Sequence, residues 1–240
     1  MRTVVFDLDG TLADTSGDLI CAANACFQAL GAADVLDHEA DRATAFRGGR
    51  AMLRLGFERL NGQVDETEID EHFPHLLEFY GNNIDRFTKV YPGVEVALEQ
   101  LAQDGYGLGV CTNKPEGLAE TLLQRLGLRP FFGALVGADT LPVRKPDPAP
   151  LFEAVGRLGG RPGQSLLVGD TMTDRDCARA ANIPCVLVTF GPNGRSVAKL
   201  SPDALLNGFD ELPDLVPAVL AQAAQTPAAR PENRQETGNV

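Results

Sequence analysis

Residues 3–15 read Thr3-Val4-Val5-Phe6-Asp7-Leu8-Asp9-Gly10-Thr11-Leu12-Ala13-Asp14-Thr15, and the change of character inside them decides the fold. Residues 3–6 form a short apolar strand, and Gly10 ends it in a turn. Asp7 and Asp9 therefore lie where the strand turns. Two carboxyl groups so close repel strongly unless a cation sits between them or one keeps its proton.

Downstream of this strand the pattern changes to helix. From residue 17 to residue 87 Leu19, Ala23, Cys26, Phe27 and Leu30 fall on one face, and Ile69, Phe73, Leu76, Tyr80, Ile84 and Phe87 repeat at spacings of three and four. No strand pattern interrupts the stretch, which predicts a small helical bundle, with Pro74 starting or kinking a helix. Strands then alternate with helices. Strands are expected near 106–111, 134–136, 165–168, 185–189 and 204–206, and helices near 94–103, 115–126, 148–158, 174–181 and 210–220. Such alternation predicts an α/β fold with a doubly wound parallel sheet. The predicted organisation is a catalytic core of residues 1–14 and 89–221, a helical cap of residues 15–88, and a disordered tail over 222–240, rich in Ala, Gln, Pro and Arg. An insertion after the first strand sits above the C-terminal edge of the sheet, where ligands bind in such folds.

Composition narrows the function. The net charge of −12 over 240 residues argues against nucleic acid as a partner, since phosphate backbones call for concentrated Lys and Arg. Residues 15–88 carry 13 acidic and 6 basic side chains, so −7 of that charge lies in the predicted cap. No run of about 18 apolar residues offers a membrane span, and the N-terminus turns acidic too early for a signal peptide. The cysteines number 5 and include no CxxC pair, which suits a reducing cytoplasm better than a disulfide framework or a zinc site.

Three further segments carry candidate chemistry. Cys111-Thr112-Asn113-Lys114-Pro115 lies where a strand ends and a helix begins, so free amides, the helix dipole and the Thr112 hydroxyl are available to an anion. The same residues also read as an ordinary N-cap. In Arg144-Lys145-Pro146-Asp147-Pro148 the prolines fix the direction of Lys145, an ammonium able to neutralise a nucleophile and a transferring phosphoryl group. In Gly169-Asp170-Thr171-Met172-Thr173-Asp174 a strand delivers Asp170, a hard oxygen ligand suited to Mg²⁺, to the same sheet edge. Asp174 binds metal-coordinated water, caps the next helix, or does both. Finally, Arg47-Gly48-Gly49-Arg50 opens a helical stretch in the predicted cap. Its arginines either pair a substrate carboxylate or stand solvated at a turn.

The segments DLDGTLADT, CTNKP, RKPDP and GDTMTD, in that order over residues 1–220, resemble the haloacid dehalogenase-type phosphohydrolase superfamily. TNKPEGLAETLLQRLGL and KPDPAPL look most like its phosphoglycolate phosphatase branch, although Asn182 stands where that branch usually has Gly. The resemblance implies a Rossmann-like core with a mobile cap hinged near 15–17 and 88–91, and Mg²⁺-dependent hydrolysis of a small phosphorylated metabolite. It makes Asp7 the nucleophile and a metal ligand, and Asp9 the general acid/base that binds metal through its backbone carbonyl. It makes Thr112 and Asn113 the phosphoryl cradle, Lys145 its stabiliser, Asp170 a metal ligand and Asp174 a support of the metal site. A sugar-phosphate mutase and a non-catalytic binding protein are the alternatives. A dehalogenase would not need Asp9, and an imine-forming phosphonatase would need a cap lysine, which residues 15–88 lack. A monomer or a homodimer is expected.

Overall fold

A computed structural model describes residues 1–225. In chain order the elements are β1 (Thr3–Phe6), β2 (Ala13–Asp14), α1 (Ser16–Ala29), α2 (Arg42–Ala45), α3 (Gly49–Asn61), α4 (Glu66–Asn82), β3 (Lys89–Val90), α5 (Val94–Gln103) and β4 (Gly107–Cys111). Then follow α6 (Glu116–Arg125), β5 (Ala134–Val136), α7 (Ala149–Arg157), β6 (Ser165–Gly169), α8 (Met172–Ala181), β7 (Cys185–Val188), β8 (Ala204–Leu206) and α9 (Leu212–Gln225).

Six strands form one parallel sheet in the order β5-β4-β1-β6-β7-β8. The first strand is thus central, and the chain fills one side of it before crossing to the other. That reversal makes the C-terminal ends of β4, β1 and β6 the switch point where α/β sheets bind ligands. Side chains alternate across the sheet with a period of two. Val5, Cys111, Val136, Leu167 and Leu187 face α7 and α8, whereas Val4, Phe6, Val110, Leu166 and Val168 belong to the larger core that α5 and α9 also line. Helices therefore cover both faces, as the strand–helix alternation predicts, and the fold is α/β and Rossmann-like.

Helices α1–α4 pack on one another between β2 and β3. Ile20, Phe27, Met52, Phe57, Ile69 and Tyr80 are fully or almost fully buried, and losing one such side chain to Ala costs about 3–5 kcal/mol. A Cβ on Gly56 would stand 2.0 Å from Phe27 Cζ, so only glycine lets α3 approach that ring. The two connections into and out of the helices pair as a short antiparallel ribbon, Ala13 opposite Val90 and Asp14 opposite Lys89. Buried Asp18 fastens them further. Its carboxylate accepts from the Phe87 amide at 3.0 Å, and from the Thr88 amide and hydroxyl at 2.8 Å.

The structure departs from the sequence-based expectations in three places. Strands β2 and β3 are two residues each, too short to show a period. Of the two expectations for Pro74, starting a helix is ruled out, since the residue lies inside α4. The last helix runs to Gln225, through the start of the segment expected to be disordered, because Ala and Gln sustain helix well. The rest of that expected tail, residues 226–240, lies outside the described residues.

Candidate active site

The sheet brings the sequence-predicted residues together. Asp7 follows β1, Thr112 follows β4 and Asp170 follows β6. The Asp7 amide donates to Val168 O and the Thr112 amide to Val136 O, both at 2.9 Å, so the ladder holds each residue's backbone one step past its strand. Asp7, Asp9, Thr112, Asn113, Lys145 and Asp170 all line one cavity of about 660 Å³, together with Arg47 and Arg50 from the inserted helices. Asp174 stands just behind it.

One oxygen from each of Asp7, Asp170 and Asp174 lies within 4.8 Å of the others. Lys145, with a side chain only 1% exposed, reaches Asp7 Oδ1 at 3.1 Å and Asp174 Oδ1 at 2.6 Å. Burial opposes its charge, and the two carboxylates overcome that, holding its pKa well above the ordinary lysine range. Desolvation pushes the Asp7 carboxyl up to about 6, with Lys145 pulling the other way and Asp174 and Asp9 adding to the rise. Asp170 is raised further, first by burial and then by Asp174 and Asp7.

The donor set fits a hard divalent cation. Asp170 Oδ1 accepts from the Thr11 hydroxyl at 3.1 Å, but its Oδ2 is buried with no hydrogen-bond partner. Such an acceptor is costly unless something electropositive meets it. Gly10, at φ +82°, keeps that oxygen clear, since a Cβ there would approach it to 2.4 Å. All the side-chain donors are oxygens, which suits Mg²⁺ or Ca²⁺ rather than softer metals.

The Asp9 carboxylate is set apart from that of Asp7. It is absent from the three-oxygen group, because Lys114 Nζ holds it at 2.7 and 2.9 Å and the Thr15 hydroxyl donates to it at 2.7 Å. The third carboxylate is instead that of Asp174, and only the backbone carbonyl of Asp9 is left for a metal. Asp174 caps the helix, one of its two readings from the sequence, and also holds Lys145. Oδ1 takes Lys145, while Oδ2 accepts from the Thr171 amide and hydroxyl in a capping box at the start of α8.

Asn113 donates its side-chain amide to Lys145 O at 3.0 Å, bracing the lysine loop as well as lining the cavity. Thr112 accepts from the Lys114 amide at 3.2 Å and keeps its hydroxyl proton for a ligand. In the inserted helices Arg50 is already engaged with Asp70 at 2.5 Å and lies over the Phe73 ring. Arg47 has no side-chain hydrogen bond or ion pair among the described residues, and neither has Arg144 across the cavity. The glycines between the two arginines have packing reasons of their own. Gly48 caps α3 at φ +93°, and a Cβ on Gly49 would meet Leu76 at 2.9 Å.

Lys114 and Arg144 are the residues that sequence reasoning passed over. Lys114 stands inside a quoted motif, and a lysine between a strand end and a proline-led helix start had a fair chance of burial beside a carboxylate.

A parallel sheet that gathers an aspartate cluster, a buried lysine and a free threonine hydroxyl at its switch point is an arrangement suited to phosphoryl transfer. Comparison with known proteins agrees. Residues 4–188 match the haloacid dehalogenase-like hydrolase family, and the chain belongs to it. A phosphoglycolate phosphatase of Mesorhizobium japonicum is 39% identical over 211 residues, covering 87% of this chain and 92% of its own length. One of Agrobacterium fabrum is 35% identical, covering 87% and 89%. A Haemophilus somnus structure described as a predicted phosphoglycolate phosphatase superposes with a TM-score of 0.79 at 26% identity, over 90% of this chain and 97% of that one. The protein is a phosphoric monoester hydrolase. No helix among the described residues is long and apolar enough to cross a membrane.

Proposed function

We propose that this hydrolase cleaves 2-phosphoglycolate with Mg²⁺, through an aspartyl-phosphate on Asp7, beneath a cap formed by residues 15–88. The observation that carries the chemistry is the Asp7 carboxylate, 13% exposed to the cavity and 3.1 Å from Lys145 Nζ. Asp7 Oδ attacks phosphorus as the ester P–O bond breaks, and Asp9 gives a proton to the departing glycolate oxygen. Water then attacks the phosphorus, Asp9 takes its proton, and the P–O bond to Asp7 breaks to release phosphate. Lys145 and the Thr112 hydroxyl steady the phosphoryl oxygens throughout. Asp7, Asp170 and the backbone carbonyl of Asp9 would hold Mg²⁺, which would supply charge neutralisation for the transferring phosphoryl group. Charge balance supports it. Four carboxylates, on Asp7, Asp9, Asp170 and Asp174, meet only Lys114 and Lys145 here, a deficit one divalent cation closes.

Arg47 and Arg144 favour a substrate with a second anionic group, since both are cations on the cavity wall without a carboxylate partner among the described residues. The names of the relatives point to the same molecule. The test is a panel of phosphorylated metabolites assayed with Mg²⁺. 2-Phosphoglycolate should give the highest kcat/KM. A higher value for a sugar phosphate, or turnover that requires a bisphosphorylated sugar, would replace this reading with a sugar phosphatase or a mutase.

A further inference from the structure

The proposed mechanism leaves unexplained why a second lysine is buried at the site. Lys114 is 4% exposed at its side chain and does not touch the three-carboxylate group. Both oxygens of Asp9 lie within hydrogen-bond reach of its ammonium, at 2.7 and 2.9 Å. Burial disfavours the charge, yet Asp9 outweighs it and keeps the lysine protonated. The ammonium also lies over the ring of Tyr80, 4.5 Å from its centroid. Tyr80 belongs to α4 of the inserted helices, whereas Lys114 and Asp9 belong to the core. One cation thus bridges the proton-transferring carboxylate and the segment that covers it.

We propose that Lys114 is a positioning residue for Asp9, and that Tyr80 couples this positioning to the seating of α4 over the site. A general base acts only when its oxygen is fixed within hydrogen-bond distance of the proton it takes. Asp9 lies at the entry to the turn after β1, outside the six-stranded sheet, so the ladder that holds Asp7 and Thr112 does not hold its side chain. Two anchors do so instead, Thr15 at the start of the insertion and Lys114 at the head of α6. The Tyr80 ring also attracts the ammonium, so displacing α4 loosens Lys114 and with it the base. Catalytic competence and closure are then one event, which keeps the aspartyl-phosphate from meeting water until Asp9 is in place.

The inference rests on the proposed two-step mechanism, and the experiment separates the two. The substrate is p-nitrophenyl phosphate, whose leaving group departs without a proton, so phosphorylation of Asp7 proceeds without Asp9 while dephosphorylation needs its base. Rapid quench and mass spectrometry follow the phosphoenzyme in wild type, Asp9→Asn, Lys114→Met, Tyr80→Leu and the double variant. Lys114→Met should lower kcat on the order of a hundredfold, lower KM along with it so that kcat/KM, which reports phosphorylation alone, changes less than threefold, and accumulate phosphoenzyme as Asp9→Asn does. Tyr80→Leu should lower kcat about tenfold alone and have almost no effect in the Lys114→Met background.

If Lys114→Met loses phosphorylation and dephosphorylation equally and accumulates nothing, Lys114 is structural and the inference falls. Additive losses in the double variant would refute the coupling to Tyr80. Should Lys114→Met fail to fold, Tyr80→Leu alone decides, because it retains the ion pair and must still accumulate phosphoenzyme. Absence of phosphoenzyme in Asp9→Asn as well would instead defeat the proposed mechanism.

Discussion

Replacing Asp7 with Asn should destroy the chemistry and stabilise the protein. In the metal-free fold the Asp7 carboxyl is pushed up to about 6 from 3.8, chiefly by burial, whereas the unfolded chain titrates near the lower value. The folded state thus holds the proton more tightly. The associated stability is complete below about pH 4 and is lost as pH rises through 6. A difference of about two units corresponds to roughly 3 kcal/mol at neutral pH, and relaxation of the cavity leaves about 1–3 kcal/mol.

Asn has the same shape and cannot ionise, and Lys145 keeps Asp174 at 2.6 Å when Asp7 loses its charge. In EDTA at pH 7.5 the variant should therefore melt about 3–9 °C above wild type. At pH 4.5 the gap should shrink to about a third. Thermal melts followed by circular dichroism at both pH values give the answer, with hydrolysis assayed alongside. A wild type that is the more stable at pH 7.5, or a gap that does not depend on pH, would refute the reasoning.

The metal site should respond in two ways. EDTA should abolish hydrolysis and Mg²⁺ restore it, whereas full turnover by thoroughly chelated protein would remove the cation from the mechanism. Gly10→Ala places a methyl 2.4 Å from Asp170 Oδ2 at a positive φ, so it should cost about 1 kcal/mol in backbone strain and sharply weaken Mg²⁺ binding measured by calorimetry. Arg47→Ala should lower kcat/KM for 2-phosphoglycolate roughly ten- to a hundredfold, the worth of about 1.5–3 kcal/mol for a charge-assisted pair, and leave an aryl phosphate nearly unchanged. Arg50→Ala should do much less, since its guanidinium is held by Asp70 and Phe73. Equal losses on both substrates would trace the effect to closure rather than recognition.

What the sequence makes legible is what the backbone decides locally. The strand before Asp7, the turn at Gly10 and the helix starts after Thr112 and Asp170 are each written within a few residues. Together they predict which side chains reach the switch point. The order of the motifs does the rest, because a parallel sheet sends all its C-terminal strand ends to one edge. Pairings across long sequence distances are not written that way. Asp9 and Lys114 are 105 residues apart, and Tyr80 shows in the sequence only as one member of an apolar stripe on α4.

Counting side-chain atoms shows how one residue serves two partners. A carboxylate has two oxygens, so Asp174 caps α8 with one and holds Lys145 with the other. The same counting explains how a chain of net charge −12 attracts a phosphate ester. Lys114 and Lys145 are consumed by the aspartates beside them, and the acidic surplus on Asp7 and Asp170 is what draws a divalent cation. With a divalent cation held as proposed, an incoming dianion would meet that cation, the Thr112 hydroxyl and the side chains of Arg47 and Arg144, which have no partner among the described residues. The local field at the cavity, rather than the sum over the chain, decides which ions enter.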